Sequence, residues 1–478
     1  MTFVEPLRET FAPTVNGADY PTDATFDVIN PATGEALAQA PAVTASALDD
    51  AFGAAATAYE KWRRDDDLRR DHLRSAAGAV AAAADHLAPV LTAEQGKPLA
   101  DARNEILAAS AWLSYYADLE LPREVIRDDE GGYEEVFRRP LGVVAAITPW
   151  NFPIALAMWK IAPALRAGNT IVAKPSPFTP LTTLALGRVL REVLPDGVLN
   201  VLSGPDPLGA AMVEHPVPRK VSFTGSTATG KKVAISAAAD LKRVTLELGG
   251  NDPAIVLGDV DVNAIAEQLF WGAFGNNGQI CLAVKRVYAH ESIHSDLVAA
   301  LAELATATKV DEGTVEGVQL GPINNKPQFD RVNELVSDAL GHGARAVAGG
   351  SPLDRPGYFY APTILDNIDD GVRVVDEEQF GPVLPVVPFR DETDAVSRAN
   401  RSQYGLTASV WSGDPEHASK LAAEVDSGQV AINSHGAGVQ MHLPFGGHKW
   451  SGIGVENGPW GLYGFSELQV IAGPPRKR

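Results

Sequence analysis

Apolar and polar positions change their period along the chain, and the changes divide it. Residues 46–62, 67–96 and 101–119 carry apolar side chains at helical spacing, divided by turn signals such as Gly96-Lys97-Pro98, and predict helices. Residues 122–140 are charged and poor in turns, and the alternation over Tyr133-Glu134-Glu135-Val136-Phe137 predicts an edge strand or arm. From residue 142 the pattern becomes strands alternating with helices. Strands are predicted at 142–148, 170–174, 199–203, 220–224 and 243–248, with helices at 154–167, 181–194, 208–214 and 227–238 between them. A second alternating set has strands at 254–257 and 284–290, helices at 262–274 and 295–308, then segments 395–400 and 408–411, a helix at 416–425 and a strand at 429–433. Nearly continuous apolar strands separated by helices predict parallel sheets covered on both faces, so the fold class is α/β with two units. There is no internal repeat and no low-complexity linker.

Length and composition narrow the picture. The chain has 478 residues, enough for two or three domains, and 45% of them are hydrophobic against 21% charged. A net charge of -20 repels polyanions, so neither nucleic acid nor an anionic membrane is expected as a partner. Cys281 is the one cysteine, which rules out an internal disulfide and cysteine-rich metal sites and suits a reducing compartment. The expectations are a cytoplasmic protein without a metal. The opening MTFVEPLRET lacks the basic-then-apolar order of a signal peptide. Residues 141–159 carry no charge, but Pro149, Asn151 and Pro153 at their centre predict a buried strand, a turn and a buried helix rather than a membrane span.

Four segments hold unusual chemistry. In Thr148-Pro149-Trp150-Asn151-Phe152-Pro153, a strand end opens onto a helix, where an asparagine amide either donates to a developing oxyanion or serves only the turn. The small residues around Gly225 and Ser226 follow a strand and open a helix, as a phosphate-binding turn or a plain tight turn does. Glu247 sits inside the apolar strand Leu246-Glu247-Leu248, where a carboxylate acts as a general base or pairs with Arg243 or Lys242. Gly275-Asn276-Asn277-Gly278-Gln279-Ile280 leads to Cys281, either an accessible nucleophile or an inert small apolar side chain.

Taken in this order, with Glu247 lying 34 residues before Cys281, these segments resemble the aldehyde dehydrogenase superfamily over residues 30–467. Further matching pieces are Asn30-Pro31-Ala32-Thr33-Gly34-Glu35, Gly168-Asn169-Thr170 leading to Lys174-Pro175-Ser176, Glu378-Gln379-Phe380-Gly381-Pro382-Val383, and Pro444-Phe445-Gly446-Gly447 before Lys449-Trp450-Ser451-Gly452. The resemblance implies two doubly wound α/β domains and a small β oligomerisation arm. A Rossmann-like cofactor domain would span residues 1–121 and 141–246, a catalytic domain 247–446, and the arm 122–140 with 447–478. It also implies an NAD(P)-dependent oxidation of an aldehyde to a carboxylic acid. Cys281 would attack the aldehyde, Asn151 and the Cys281 backbone N–H would hold the oxyanion, and Glu247 would activate water against the thioester. Trp150, Lys174, Ser176, Pro177, Gly225, Ser226, Glu378 and Phe380 would line the cofactor site.

One departure bears on the cofactor. The family often has a glutamate three residues after the lysine, against the ribose 2′-hydroxyl, and here that position is Pro177. NAD and NADP therefore both remain open. The expected assembly is a homodimer or homotetramer, joined by residues 122–140 and the edge pattern Phe465-Ser466-Glu467-Leu468-Gln469-Val470. Two other readings are kept: acyl transfer to CoA, against which Glu247 speaks, and a non-catalytic protein of the same fold. The aldehyde's tail would meet Trp159, Ile280, Leu282 and the loop 435–442, and Ile280 and Leu282 would make that mouth apolar.

Overall fold

The computed structural model describes residues 10–436 and 439–476. Residues 1–9, which hold most of the opening read above, and residues 437–438 of the loop expected at the substrate mouth lie outside the described residues.

The first unit is built on five parallel strands: β1 (Val143–Ile147), β2 (Thr170–Lys174), β3 (Leu199–Val201), β4 (Lys220–Thr224) and β5 (Arg243–Glu247). Their spatial order is β3-β2-β1-β4-β5, so the chain runs outward from β1 in one direction and then resumes from β4 in the other. That reversal opens a crevice at the carboxyl ends of β1 and β4, where open α/β sheets take their ligands. Short antiparallel strands flank both edges: Thr14–Val15 on β3 and Gly452–Ile453 on β5. The helices that matter for the site are α1 (Pro153–Arg166), α2 (Pro207–Glu214) and α3 (Thr227–Ala238). α1 begins with Pro153, whose missing N–H costs nothing at a helix start, and the chain turns off after it at Gly168 with φ of +93°.

The second unit carries β6 (Asp252–Val256), helix α4 (Val262–Phe274), β7 (Val284–His290), β8 (Thr363–Asp366), β9 (Val383–Phe389), β10 (Thr407–Trp411) and β11 (Gln429–Ile432). Its parallel order is β8-β9-β7-β6-β10-β11, with Arg345–Ala348 antiparallel on the β8 edge. Strands β6 and β10 are buried along their length, as strands covered on both faces must be.

A separate three-stranded antiparallel sheet has Gly132–Pro140 at its centre, between Arg123–Asp129 and Ser466–Gly473. Among the described residues from 447 on, only Ser466–Gly473 pairs in this arm; His448–Lys449 pairs with Tyr404–Gly405 and Gly452–Ile453 with β5. Residues 67–96, expected as one helix, form two, Asp66–Ala82 and Ala84–Gln95, bent by 67°. The chain turns at Ala83, with φ of -85° and ψ of -2°, while Pro89 lies inside the second helix. No single helix among the described residues is long and apolar enough to cross a membrane.

Candidate active site

The turn after β1 brings Asn151 to the start of α1 and buries it. Its side-chain Nδ2 donates to the Gln279 carbonyl at 2.9 Å, two residues before Cys281. Its own backbone carbonyl accepts from Asn276 Nδ2 at 3.1 Å and from Lys97 Nζ at 3.0 Å. Asn151 is thus clamped to the loop that carries the thiol, and one of its two amide hydrogens is left for another acceptor.

That loop is wound by sequence. Asn276, Asn277 and Gly278 lie in succession in the left-handed region, at φ of 47°, 62° and 69°. Asparagine and glycine are the residues that tolerate this conformation. A side chain at Gly278 would also collide with the Gly381 carbonyl, so the loop is held against the segment containing Glu378 and Phe380. Cys281 follows as a partly exposed free thiol, packed beside the apolar cluster that includes Trp112, Trp159 and Phe445. Burial pushes the thiol up to about 12, against the opposing pull of Lys285.

Glu247 closes β5 and is 3% exposed, yet neither carboxylate oxygen has a hydrogen-bond partner among the described residues. Burial raises it well above the usual carboxylate range; the Glu456 charge adds to this and Lys160 opposes it. Neither Arg243 nor Lys242 pairs with it: Arg243 is exposed, and Lys242 Nζ donates to the carbonyls of Val213 and His215. The paired-carboxylate reading is thereby removed.

Trp150, Lys174, Ser176, Pro177, Gly225 and Ser226 line one cleft of about 780 Å³ at the crevice between β1 and β4. Ser226 caps α3, its hydroxyl accepting from the Thr229 N–H at 3.3 Å. Lys174 is buried, donates to the Pro175 carbonyl at 3.2 Å, and is pulled down to about 8 by burial. Phe380 meets Trp150 edge to face at 5.3 Å, which joins its segment to the same wall. Glu378 accepts from the Gly250 N–H at 3.1 Å, and only a glycine at 249 leaves room for its carboxylate. Burial raises Glu378 to about 7. A helix N-terminus over a turn of small residues, beside a lysine and at a topological switch point, fits the diphosphate and ribose of a dinucleotide.

The family model described as the aldehyde dehydrogenase family matches residues 20–471. The chain belongs to the aldehyde dehydrogenase family. It is 40% identical over 455 residues to a phenylacetaldehyde dehydrogenase of Pseudomonas fluorescens, covering 91% of this chain and 90% of that one. The solved NAD+ complex of an aldehyde dehydrogenase from Bacillus cereus superposes with a TM-score of 0.96 at 34% identity, over 100% of this chain and 99% of that one. A solved NADP-dependent enzyme of E. coli superposes with a TM-score of 0.94 at 34% identity, over 97% and 98%. This aldehyde dehydrogenase accordingly carries out NAD(P)-dependent aldehyde oxidation, with NAD or NADP as cofactor.

Several buried charged groups that brace the site of this aldehyde dehydrogenase are not among the sequence candidates. Lys97 and Glu105 form a buried pair at 2.5 Å beneath Asn151, and Glu105 Oε1 accepts from the N–H groups of Ile154 and Ala155 at 2.9 and 3.1 Å. Lys160, fully buried, donates to Thr224 Oγ1 and Glu456 Oε1, both at 2.7 Å. This pins the end of β4, just before the Gly225 turn, to the segment after Gly452–Ile453. The available signal was charge inside apolar periodicity: Lys160 interrupts the hydrophobic run of α1 much as Glu247 interrupts β5. The run His290-Glu291-Ser292-Ile293-His294 has the H-E-x-x-H spacing, a signal that the expectation of no metal passes over. Here it spans the end of β7 and the start of the next helix; His290 turns to Ser292 at 2.8 Å, and His294 contacts the Val386 carbonyl at 3.3 Å. Among the described residues, no group of three acidic, histidine or cysteine side chains could hold a metal ion.

Proposed function

We propose that Cys281 attacks the aldehyde carbonyl carbon, that the Asn151 amide and the Cys281 N–H hold the resulting oxyanion, and that Glu247 is the base. The observation that carries this is Glu247 itself, a buried carboxyl with both oxygens free at the end of β5, close enough to Cys281 for its charge to act on the thiol. The attacking thiol must lose its proton, because burial holds it up at about 12; Glu247, within electrostatic reach of it, takes that proton and releases it to solvent before acting again. The addition forms the sulfur–carbon bond of a thiohemiacetal. NAD or NADP, when bound, would supply the two-electron oxidation that takes this adduct to the thioester. Glu247 then takes a proton from water, the hydroxyl adds to the thioester carbon, and the sulfur leaves as the acid is released.

Lys174, Ser176, Pro177, Gly225 and Ser226 would hold the adenosine and diphosphate end, and Trp150, Glu378 and Phe380 the nicotinamide end. Residues 1–121 with 141–246 form the cofactor-binding domain in this reading, and residues 247–446 the catalytic one. Phe152, Leu282, Val439 and Met441, which pack against the same apolar cluster as Cys281, favour an aldehyde with an apolar tail. Exposed Val125, Ile126, Leu468 and Val470 on the two edge strands of the arm favour a homodimer or homotetramer joined there. The compartment of this proposal is the cytoplasm. A panel of aldehydes, read by reduction of each dinucleotide with and without CoA, tests the reading. Acid formation independent of CoA and lost in Cys281→Ala is expected; a requirement for CoA would replace hydrolysis by acyl transfer.

A further inference from the structure

Strand β2 ends in Lys174 without an acidic residue after it; Ser176 and Pro177 stand there instead. Dinucleotide folds place a carboxylate near that strand end to accept the ribose 2′-hydroxyl, or an arginine to accept a 2′-phosphate. The cleft has no arginine, but it has a carboxylate on the facing wall. Asp206, immediately before α2, lines the cleft together with Lys174, Ser176 and Pro177. It is close to the lysine: its charge works on Lys174 against the effect of burial, and a Cβ at Gly209, one turn further on, would lie 4.0 Å from Lys174 Cδ.

The Asp206 carboxylate is also uncommitted. It does not cap α2, and it makes no hydrogen bond or ion pair among the described residues. The other charged groups on the cleft wall are Lys232 and Glu214, so cations and anions balance and no surplus positive charge awaits an extra phosphate.

We propose that Asp206 takes the place of the missing acid, accepts the hydrogen bond of the adenosine ribose 2′-hydroxyl, and makes the enzyme prefer NAD to NADP. This rests on the reading of the cleft as the dinucleotide site. The 2′-phosphate of NADP would set like charge against Asp206, whereas the free hydroxyl of NAD gives it a donor.

Calorimetric titration of NAD+ and of NADP+ into the full-length protein, without aldehyde, tests it in the wild type, Asp206→Asn and Asp206→Gly. The wild type is expected to bind NAD+ at least about tenfold more tightly than NADP+. Each variant is expected to lose about tenfold in NAD+ affinity while NADP+ affinity holds or rises. Wild-type preference for NADP+, or a ratio of the two dissociation constants unchanged by both substitutions, overturns the role of Asp206. If neither dinucleotide binds the wild type, the assignment of the cleft fails, and the role of Asp206 with it.

Discussion

Glu105 and Glu247 are buried to nearly the same degree, 4% and 3% exposed, and both lie at junctions next to the reacting groups. Their surroundings are opposite. Glu105 spends one oxygen on two backbone N–H groups at the start of α1 and the other on Lys97. Glu247 spends neither. Glu94 repeats the Glu105 pattern, accepting from the N–H groups of Leu181 and Thr182 at 2.7 and 2.9 Å where another helix begins. A buried carboxylate with its lone pairs filled fixes a helix end in place. One with its lone pairs empty costs free energy to keep and is free to take a proton. Burial alone does not separate the two; the list of partners does.

Substitutions should widen this contrast. The largest loss is expected on the other side of the reaction. Cys281→Ala removes the nucleophile and should lower kcat by roughly four orders of magnitude or more, with the melting temperature little changed. Glu247→Gln should lower steady-state turnover by about a thousandfold while leaving the fold as stable as before, since no partner is lost. Glu105→Ala should do the reverse. It strands Lys97 and two backbone donors, so unfolding by denaturant should show a loss of about 3 kcal/mol, with catalysis reduced less than in Glu247→Gln. A stable Glu105→Ala protein, or an unstable Glu247→Gln one, would break the comparison.

The pH dependence of the free thiol is the mildest effect. With Cys281 held up at about 12, thiolate is the minority form throughout the neutral range. Its fraction grows about tenfold with each unit of pH, so alkylation by iodoacetamide should climb at that slope from pH 7 to 9. A plateau below pH 8 would show a thiol already ionised at rest.

Much of the scaffold was legible in the chain because its signals are local. The apolar strands β1, β2 and β4, the capped turn at Ser226 and the Asn-Asn-Gly approach to Cys281 each announce themselves within a few residues. What stayed hidden depends on distant partners. Lys97 reads as part of a turn signal until folding sets it on Asn151, 54 positions away. Glu456 has no local mark until it meets Lys160 across 296 positions. Asp206 reads as a loop residue until α2 lies over Lys174. The break at Ala83 falls in an alanine run with no turn residue at it, so the helical spacing hides it.

The central claim is a covalent intermediate on one sulfur, released by one carboxyl. Intact-protein and peptide mass spectrometry of Glu247→Gln, mixed with NAD+ and a substrate aldehyde and quenched in acid, addresses it directly. The account predicts one acyl group per chain, on the peptide that contains Cys281, persisting far longer than in the wild type. An unmodified Cys281 peptide under turnover conditions, or an acyl group on another residue, would contradict it.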